Sequence, residues 1–185
     1  MEDHRAHNTR LMDRAAGGEE ASFGDLARQV QDELFRFALA QGLRRADAAE
    51  AVQEALLRAW LRRGRWRPGA DATAWLYGFT MNVVRELRRK RRRDGPSGLD
   101  LSDFAGPEPS GADDAELARL PEHLAALPPR QREAVACRYL RQMSVRDTAA
   151  AMGCAEGTVK AAVFAGLRNL RAAMRQATGT TVRAR

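Results

Sequence analysis

Apolar residues recur at intervals of three and four through most of this chain, and no stretch alternates apolar and polar over a convincing strand length. That pattern predicts an all-α protein. Phe23, Leu26, Val30, Leu34 and Phe37 outline one helix, with Gly42 placed to stop it. Val52, Leu56, Ala59 and Trp60 mark the core-facing side of a second helix, spanning Asp47 to Trp60. Leu76, Phe79, Val83 and Leu87 form the buried stripe of a third, which starts near Trp75 and runs to Arg93. Trp75, Gly78, Asn82, Arg85 and Arg89 follow the adjacent stripe, which is expected to face outward. Further on, Pro129 suits the first position of a helix whose Val135, Tyr139 and Leu140 point inward. Ser144 and Asp147 have the spacing of a capping box, and Gly153 allows a sharp turn before E-G-T-V-K-A-A-V-F-A-G-L-R-N-L-R. Two short helices joined by a glycine turn, with Ala149 and Ala150 where they cross, predict a helix-turn-helix. A hairpin used only for packing has the same local pattern.

Charge changes this picture from a generic helical protein to one built for a polyanion. The 185 residues carry a formal net charge of +7, which points to nucleic acid or an acidic membrane surface. Seven of the nine residues from Arg85 to Arg93 are Arg or Lys. A helix C-terminus favours a few cations, but so dense a run repels itself until a polyanion such as a phosphate backbone neutralises it. The next segment has the opposite composition. From Asp94 to Ala118 there are seven acids and no Lys or Arg, amid D-G-P-S-G-L-D-L-S-D-F-A-G-P-E-P-S-G. Such a segment has too few apolar groups to fold alone. The chain is therefore expected to form two small helical domains, residues 1–93 and 116–185, joined by a flexible acidic linker over 94–115, with the helix-turn-helix in the second.

No apolar run approaches the length of a membrane span, and M-E-D-H-R-A-H-N has no apolar signal-peptide core, so a cytoplasmic location is expected. Cys137 and Cys154 have no metal-ligand spacing and read as idle thiols of a reducing compartment. The histidines, His4, His7 and His123, are scattered, and no phosphate loop or nucleophile elbow is present, which argues against an enzyme. Two features admit alternatives. Asp47, Glu50, Glu54 and Arg58, with Gln53 beside them, form an acidic face that is either solvated surface or a dock for a basic protein. Trp66, between two arginines in a loop, either stacks on an unpaired base or folds back on the core. In the helix-turn-helix, Gly157 and Thr158 would offer backbone N–H groups to a phosphate, with Lys160 and Phe164 next on the exposed side.

Taken in order, E-A-V-Q-E-A-L-L-R-A-W, W-L-Y-G-F-T-M-N-V-V-R-E-L-R-R, L-P-P-R-Q-R-E-A-V and E-G-T-V-K resemble the σ70 family of bacterial RNA polymerase initiation factors, in its small extracytoplasmic-function (ECF) type. The resemblance runs from about Leu11 to Met174. It implies a protein that binds core RNA polymerase and directs promoter-specific initiation, with no cofactor and no metal. It carries docking on the β′ clamp to Asp47, Glu50, Gln53, Glu54 and Arg58, and capture of the opened −10 element to Trp66, Trp75, Asn82, Arg85, Arg88 and Arg89. Reading of the −35 element passes to Arg138, Gly157, Thr158, Lys160, Ala161, Phe164 and Arg168. The implied partners are the polymerase β′ and β subunits, promoter DNA and an anti-sigma factor, with the linker threading polymerase channels.

One departure stands out. Recognition helices of the family usually continue after T-V-K with Ser and Arg, whereas Ala161, Ala162, Ala165 and Gly166 stand here. Reading of the −35 element is thus expected to be weak, shape-dependent, or shifted to Arg138, Arg141, Arg168 and Arg171, with Ala162 and Ala165 on the groove-facing side. That weakness leaves two alternatives. One is a sigma-like adaptor for an anti-sigma factor, against which the cationic run argues. The other is a polymerase-independent helix-turn-helix regulator, against which the acidic face argues.

Overall fold

The computed structural model describes residues 2–94 and 120–182, and every regular element among them is helical. The first half contains α1 (Glu2–Ala16), α2 (Glu20–Ala40), α3 (Arg45–Leu61) and α4 (Ala72–Asp94), with a short 3-10 turn at Arg63–Arg65. The second half contains α5 (Leu120–Ala126), α6 (Pro129–Val135), a π-helical turn at Ala136–Leu140, α7 (Val145–Met152) and α8 (Glu156–Val182). Apart from Asp94, the expected linker lies outside the described residues.

In the first half the apolar stripes predicted by the sequence face inward, with Leu56, Trp60, Phe79 and Leu87 half-buried and the other members buried, and they explain why α4 is central. Phe23, Leu26, Val30, Leu34 and Phe37 of α2 all lie in the core. On α4, Leu76 and Val83 are buried, and so are Tyr77, Met81 and Val84, so its apolar surface is wider than one stripe. The extra width serves a second neighbour. α4 packs on α3 on one side and on α7 of the second half on another. One apolar cluster therefore runs through both halves, joining Leu26, Phe37, Tyr77 and Met81 to Cys137, Met143, Met152 and Val159. α1, which the apolar pattern does not single out, adds Leu11, Met12 and Ala15 to the same cluster.

In the second half, Pro129 occupies the first turn of α6, as its fixed φ favours. The π turn after α6 alters the expected facing. Arg141 N–H donates to Ala136 O, five residues back, and the wider turn shifts the register of the residues beyond it. Cys137 and Met143 are buried, whereas Tyr139 is 56% and Leu140 39% exposed. The helical period predicts both of these last two inward, and the structure places them outward. Ser144 caps α7, with its Oγ accepting from Asp147 N–H at 3.0 Å, and Gly153 ends it at φ 63°.

Polar contacts tie the halves together at an otherwise apolar junction. The Arg132 guanidinium, on a residue 4% exposed, donates across it to Gln41 O at 2.6 Å and within its own half to Leu127 O at 2.9 Å and to Ala125 O. Burial, with Arg88 nearby, lowers its pKa to about 10. Tyr77 donates its hydroxyl proton to Glu33 at 3.0 Å, and Glu33 also pairs with Arg141 at 3.4 Å. Arg5 of α1 donates to Arg141 O and Gln142 O, each at 3.1 Å.

α8 crosses α6 at Gly166, where a Cβ would stand 2.7 Å from Val135 Cγ2 and 3.3 Å from Gln131 Cβ. Gly166→Ala is expected to lower stability by about 1–3 kcal/mol through overpacking. Gly157→Ala, in open space near the start of the same helix, should not. Chemical denaturation of the two variants measures the difference, and equal stability would show that α6 and α8 move apart freely.

Candidate polymerase and nucleic-acid interfaces

The expected site residues fall on three surfaces. On α3, Ala48, Ala51, Val52, Ala55 and Ala59 face inward, which turns Glu50 and Gln53 to solvent. Glu54 accepts from Arg58 Nε at 2.6 Å, and Arg58 Nη1 reaches Glu86 of α4 at 2.8 Å. These bonds raise the Arg58 pKa, the Glu54 bond being the larger cause. Asp47 pairs with Arg44 at 3.7 Å and with Arg91, so it braces α3 against the end of α4. Of the expected acidic set, Glu50 and Gln53 are therefore the most available. Beside them lie two residues that sequence reasoning missed, Leu57 at 52% and Leu61 at 68% exposed. Their signal was present: they are apolar residues outside the buried stripe of Val52, Leu56 and Ala59. A groove of about 570 Å³ between α3 and α4 is lined by Glu50, Glu54, Leu57, Val83, Glu86 and Leu87.

The second surface is the α4 stripe expected to face outward. Asn82 and Arg89 are exposed, and Trp75, Gly78 and Arg85 are half-buried. Instead of open solvent, much of this stripe borders a cleft against α7, lined by Trp75, Asn82, Arg85, Arg130, Arg146 and Ala150. At Gly78 the backbone of Ala151 lies 3.6 Å from where a Cβ would be. Arg85 is engaged within the protein. It donates from Nε to Glu133 Oε1 at 2.9 Å and from Nη2 to Oε2 at 2.7 Å, and from Nη1 to Asn82 Oδ1 at 3.3 Å. The Glu133 bond is the main reason its pKa is raised. The cationic run is thus partly neutralised internally, at Arg85 by Glu133 and at Arg91 by Asp47. Arg88 also has an interaction, and Arg89, Lys90 and Arg93 remain exposed.

Trp66 corrects one expectation. It is 7% exposed, donates its indole N–H to Asp13 at 2.6 Å, and meets Trp75 edge-on at 5.4 Å. The ring has folded back on the core, satisfying its one donor on α1. As placed it fixes the loop before α4 and offers no platform for a base. Trp75, which also meets Phe79 edge-on at 4.7 Å, is the less buried of the two indoles.

The third surface is the helix-turn-helix. Gly157, Thr158, Lys160, Ala161, Phe164 and Arg168 are exposed, and Phe164 is 71% so. Ala161, Phe164, Arg168, Arg171 and Arg175 continue one exposed stripe along α8. Ala162 and Ala165, expected on the groove-facing side, are half-buried instead, and Ala162 packs on the core cluster. Val159 and Gly166, both buried, set this rotation of the helix. Arg138 is half-buried at the π turn. Of the alanines at the crossing, Ala149 is buried while Ala150 is exposed along the cleft.

Cys137 is fully buried and its thiol is pushed up to about 12 by burial and by Glu133, and Cys154 is half-buried and unpaired. Burial thus disfavours the thiolate of Cys137. Among the described residues no group of His, Cys, Asp and Glu is arranged to hold a metal, and no helix is long and apolar enough to cross a membrane.

Trp66→Phe keeps an aromatic ring but removes the indole donor to Asp13. It is expected to cost about 1–3 kcal/mol of stability, read by denaturant titration. An unchanged midpoint together with a selective loss of single-stranded DNA binding would instead return Trp66 to a base-stacking role.

Comparison with known proteins identifies the family. Residues 26–94 match Sigma-70 region 2, and residues 117–170 match Sigma-70, region 4. The RNA polymerase sigma-E factor of Streptomyces avermitilis is 36% identical over 159 residues, covering 84% of this chain and 87% of that protein. The ECF RNA polymerase sigma factor SigM of Mycobacterium tuberculosis (strain ATCC 35801 / TMC 107 / Erdman) is 31% identical, covering 85% of this chain and 79% of its own length. Among solved structures, the sigma factor RpoE in complex with the anti-sigma factor NepR from Bartonella quintana superposes with a TM-score of 0.70 at 26% identity, covering 83% of this chain and 96% of that one. With four sequence motifs in order, helical structure throughout the described residues and two matching regions, the chain belongs to the σ70 family as a sigma factor of the ECF type, which binds core RNA polymerase and directs promoter-specific transcription initiation.

Proposed function

We propose that residues 1–93 form the unit that docks on the polymerase and captures the −10 element, that 94–115 link it to the second unit, and that 116–185 read the −35 element. The observation that carries this assignment is the segregation of surfaces. The acidic and apolar face stands on α3, while the exposed cations stand on other helices, at the end of α4, which shares a groove with α3, and along the stripe of α8. An acidic patch repels DNA and attracts a basic protein surface. Glu50 and Gln53 would supply its polar rim and Leu57 and Leu61 its apolar centre, as protein interfaces are commonly arranged. Asp47, Glu54 and Arg58 hold α3 to α4 and thereby shape that face.

For the −10 element, Asn82 offers hydrogen bonds and Trp75 an aromatic ring beside Arg85, Arg88 and Arg89, a combination suited to unstacked bases on a charged strand. For the −35 element, Gly157 brings its backbone N–H to a phosphate beside Thr158, whose own N–H is given to Ala155 O at 3.0 Å, and Lys160, Ala161 and Phe164 lie on the outer side of the first turns of α8. Arg168 and the arginines beyond it add phosphate contacts, so this element would contribute salt-dependent affinity more than base discrimination. An anti-sigma factor is a further proposed partner, supported by the complex of the similar Bartonella protein. A cytoplasmic location and a non-catalytic role accord with this reading. The cationic run disfavours a pure adaptor.

Run-off transcription with core polymerase over a promoter library tests the assignment, with two variants as arms. Glu50→Lys with Leu57→Gln alters exposed groups only and is expected to weaken core binding at least tenfold, about 1.4 kcal/mol. Glu54 is avoided because its loss would remove one of the two carboxylates that hold Arg58 between α3 and α4. Asn82→Ala should leave core binding intact and reduce open-complex formation. Wild-type core binding by the first variant would remove α3 as the dock, and equal loss of duplex binding and opening by the second would remove Asn82 as a base contact.

A further inference from the structure

Phe164 is the most exposed large apolar side chain among the described residues, at 71%. It makes no ring contact among them, with either an aromatic partner or a cation. The packing of α8 fixes its outward direction. Val159 and Gly166 are buried, Ala162, Val163, Ala165 and Leu167 are half-buried, and between Lys160 and Arg168 only Ala161 and Phe164 are exposed. Residues 161–167 read A-A-V-F-A-G-L, nearly two turns without a side chain that can form a hydrogen bond. Ala161 precedes Phe164 by about 4.5 Å along the helix axis, close to the roughly 3.4 Å step between base pairs.

Base edges in the major groove present hydrogen-bond donors, acceptors and one apolar group, the 5-methyl of thymine. Of these, only the methyl is complemented by an alanine methyl or a phenyl ring. We propose that Ala161 and Phe164 select thymine in the −35 element through its 5-methyl group, in place of hydrogen bonds to base edges. The inference rests on the −35 reading of α8 and names what that helix discriminates. Lys160 and Arg168 flank the pair, and as phosphate contacts they set the register of the helix without choosing a base. The choice then falls to apolar contact. One methyl discriminates less than a bidentate hydrogen-bonded pair does, so the preference is for thymine at the contacted steps and is permissive elsewhere.

The test uses holoenzyme reconstituted from core polymerase and the full chain. Its probe is the most active promoter of the run-off library, with each thymine of the −35 segment replaced in turn by uracil. Uracil pairs as thymine does and lacks only the 5-methyl group. At the contacted positions the replacement is expected to weaken holoenzyme binding about fourfold, the value of one buried methyl. Phe164→Ala should weaken binding to the thymine promoter and remove the uracil effect at those positions, as two changes to one contact are not additive. The ring is exposed, so its loss leaves the packing of α8 in place, and the uracil series on the wild type stands without the variant. A −35 segment without thymine would overturn the proposal. So would uracil replacements that are all neutral, or a uracil effect that survives in Phe164→Ala. Scrambling the −35 segment separates this failure from failure of the −35 reading. Lower initiation after scrambling, with neutral uracil, keeps the reading and removes the methyl contact, whereas no response to scrambling removes both.

Discussion

The pair of charged neighbours Arg132 and Glu133 is the constraint on which the arrangement of the two halves depends. Both are almost fully buried, and they face opposite demands. Arg132 inserts a guanidinium among backbone carbonyls at the end of α2 and of the loop after α5, while Glu133 meets Arg85 of α4. Removing two such charges from water is costly, and their bonds offset that cost only while the geometry holds. A junction of Leu and Val would close as firmly without it. What the charged version adds is a requirement for one geometry, since the burial of each group is offset only while these bonds are made. Apolar contact around it, at Met81, Cys137 and Met152, supplies attraction, and the ionic pair specifies the register.

Much of the fold was legible because helical periodicity survives in single sequences. The stripe from Phe23 to Phe37 is buried throughout, Pro129 and Gly153 start and stop helices as their backbone preferences dictate, and Ser144 caps α7. The failures have local causes. A 3.6-residue period turns Tyr139 and Leu140 inward, and the π turn at Ala136–Leu140 breaks that period. Ala162 and Ala165 are half-buried because the rotation of α8 is set by its crossing with α6 at Gly166, a close approach that no pattern within α8 reveals.

The site was less legible than the fold, since availability depends on partners from distant segments. Trp66 looks like a loop aromatic among cations until Asp13, 53 residues away, supplies the acceptor for its indole. The run from Arg85 to Arg93 looks like uniform positive charge, yet Glu133 and Asp47 neutralise two of its members. Leu57 and Leu61 are the opposite case. Their exposure follows from the period of α3, and an apolar pair off the buried stripe is a readable sign of a protein interface.

These pairings change what the cationic end of α4 can do. An arginine already held in a bidentate bond contributes less to non-specific attraction, because its charge is offset nearby and its orientation is fixed. Arg89, Lys90 and Arg93, by contrast, project charge outward and would draw in a phosphate backbone from a distance set by the salt concentration. The same division recurs on α8. Ala161 and Phe164 near its start present no charge, and Arg168, Arg171 and Arg175 lie farther along the same stripe. On both helices, then, most of the exposed cations lie apart from the uncharged groups proposed for close fit, Lys160 on α8 being the exception. Raising salt weakens the first and leaves the second, so promoter choice by this protein would depend less on salt than promoter affinity does.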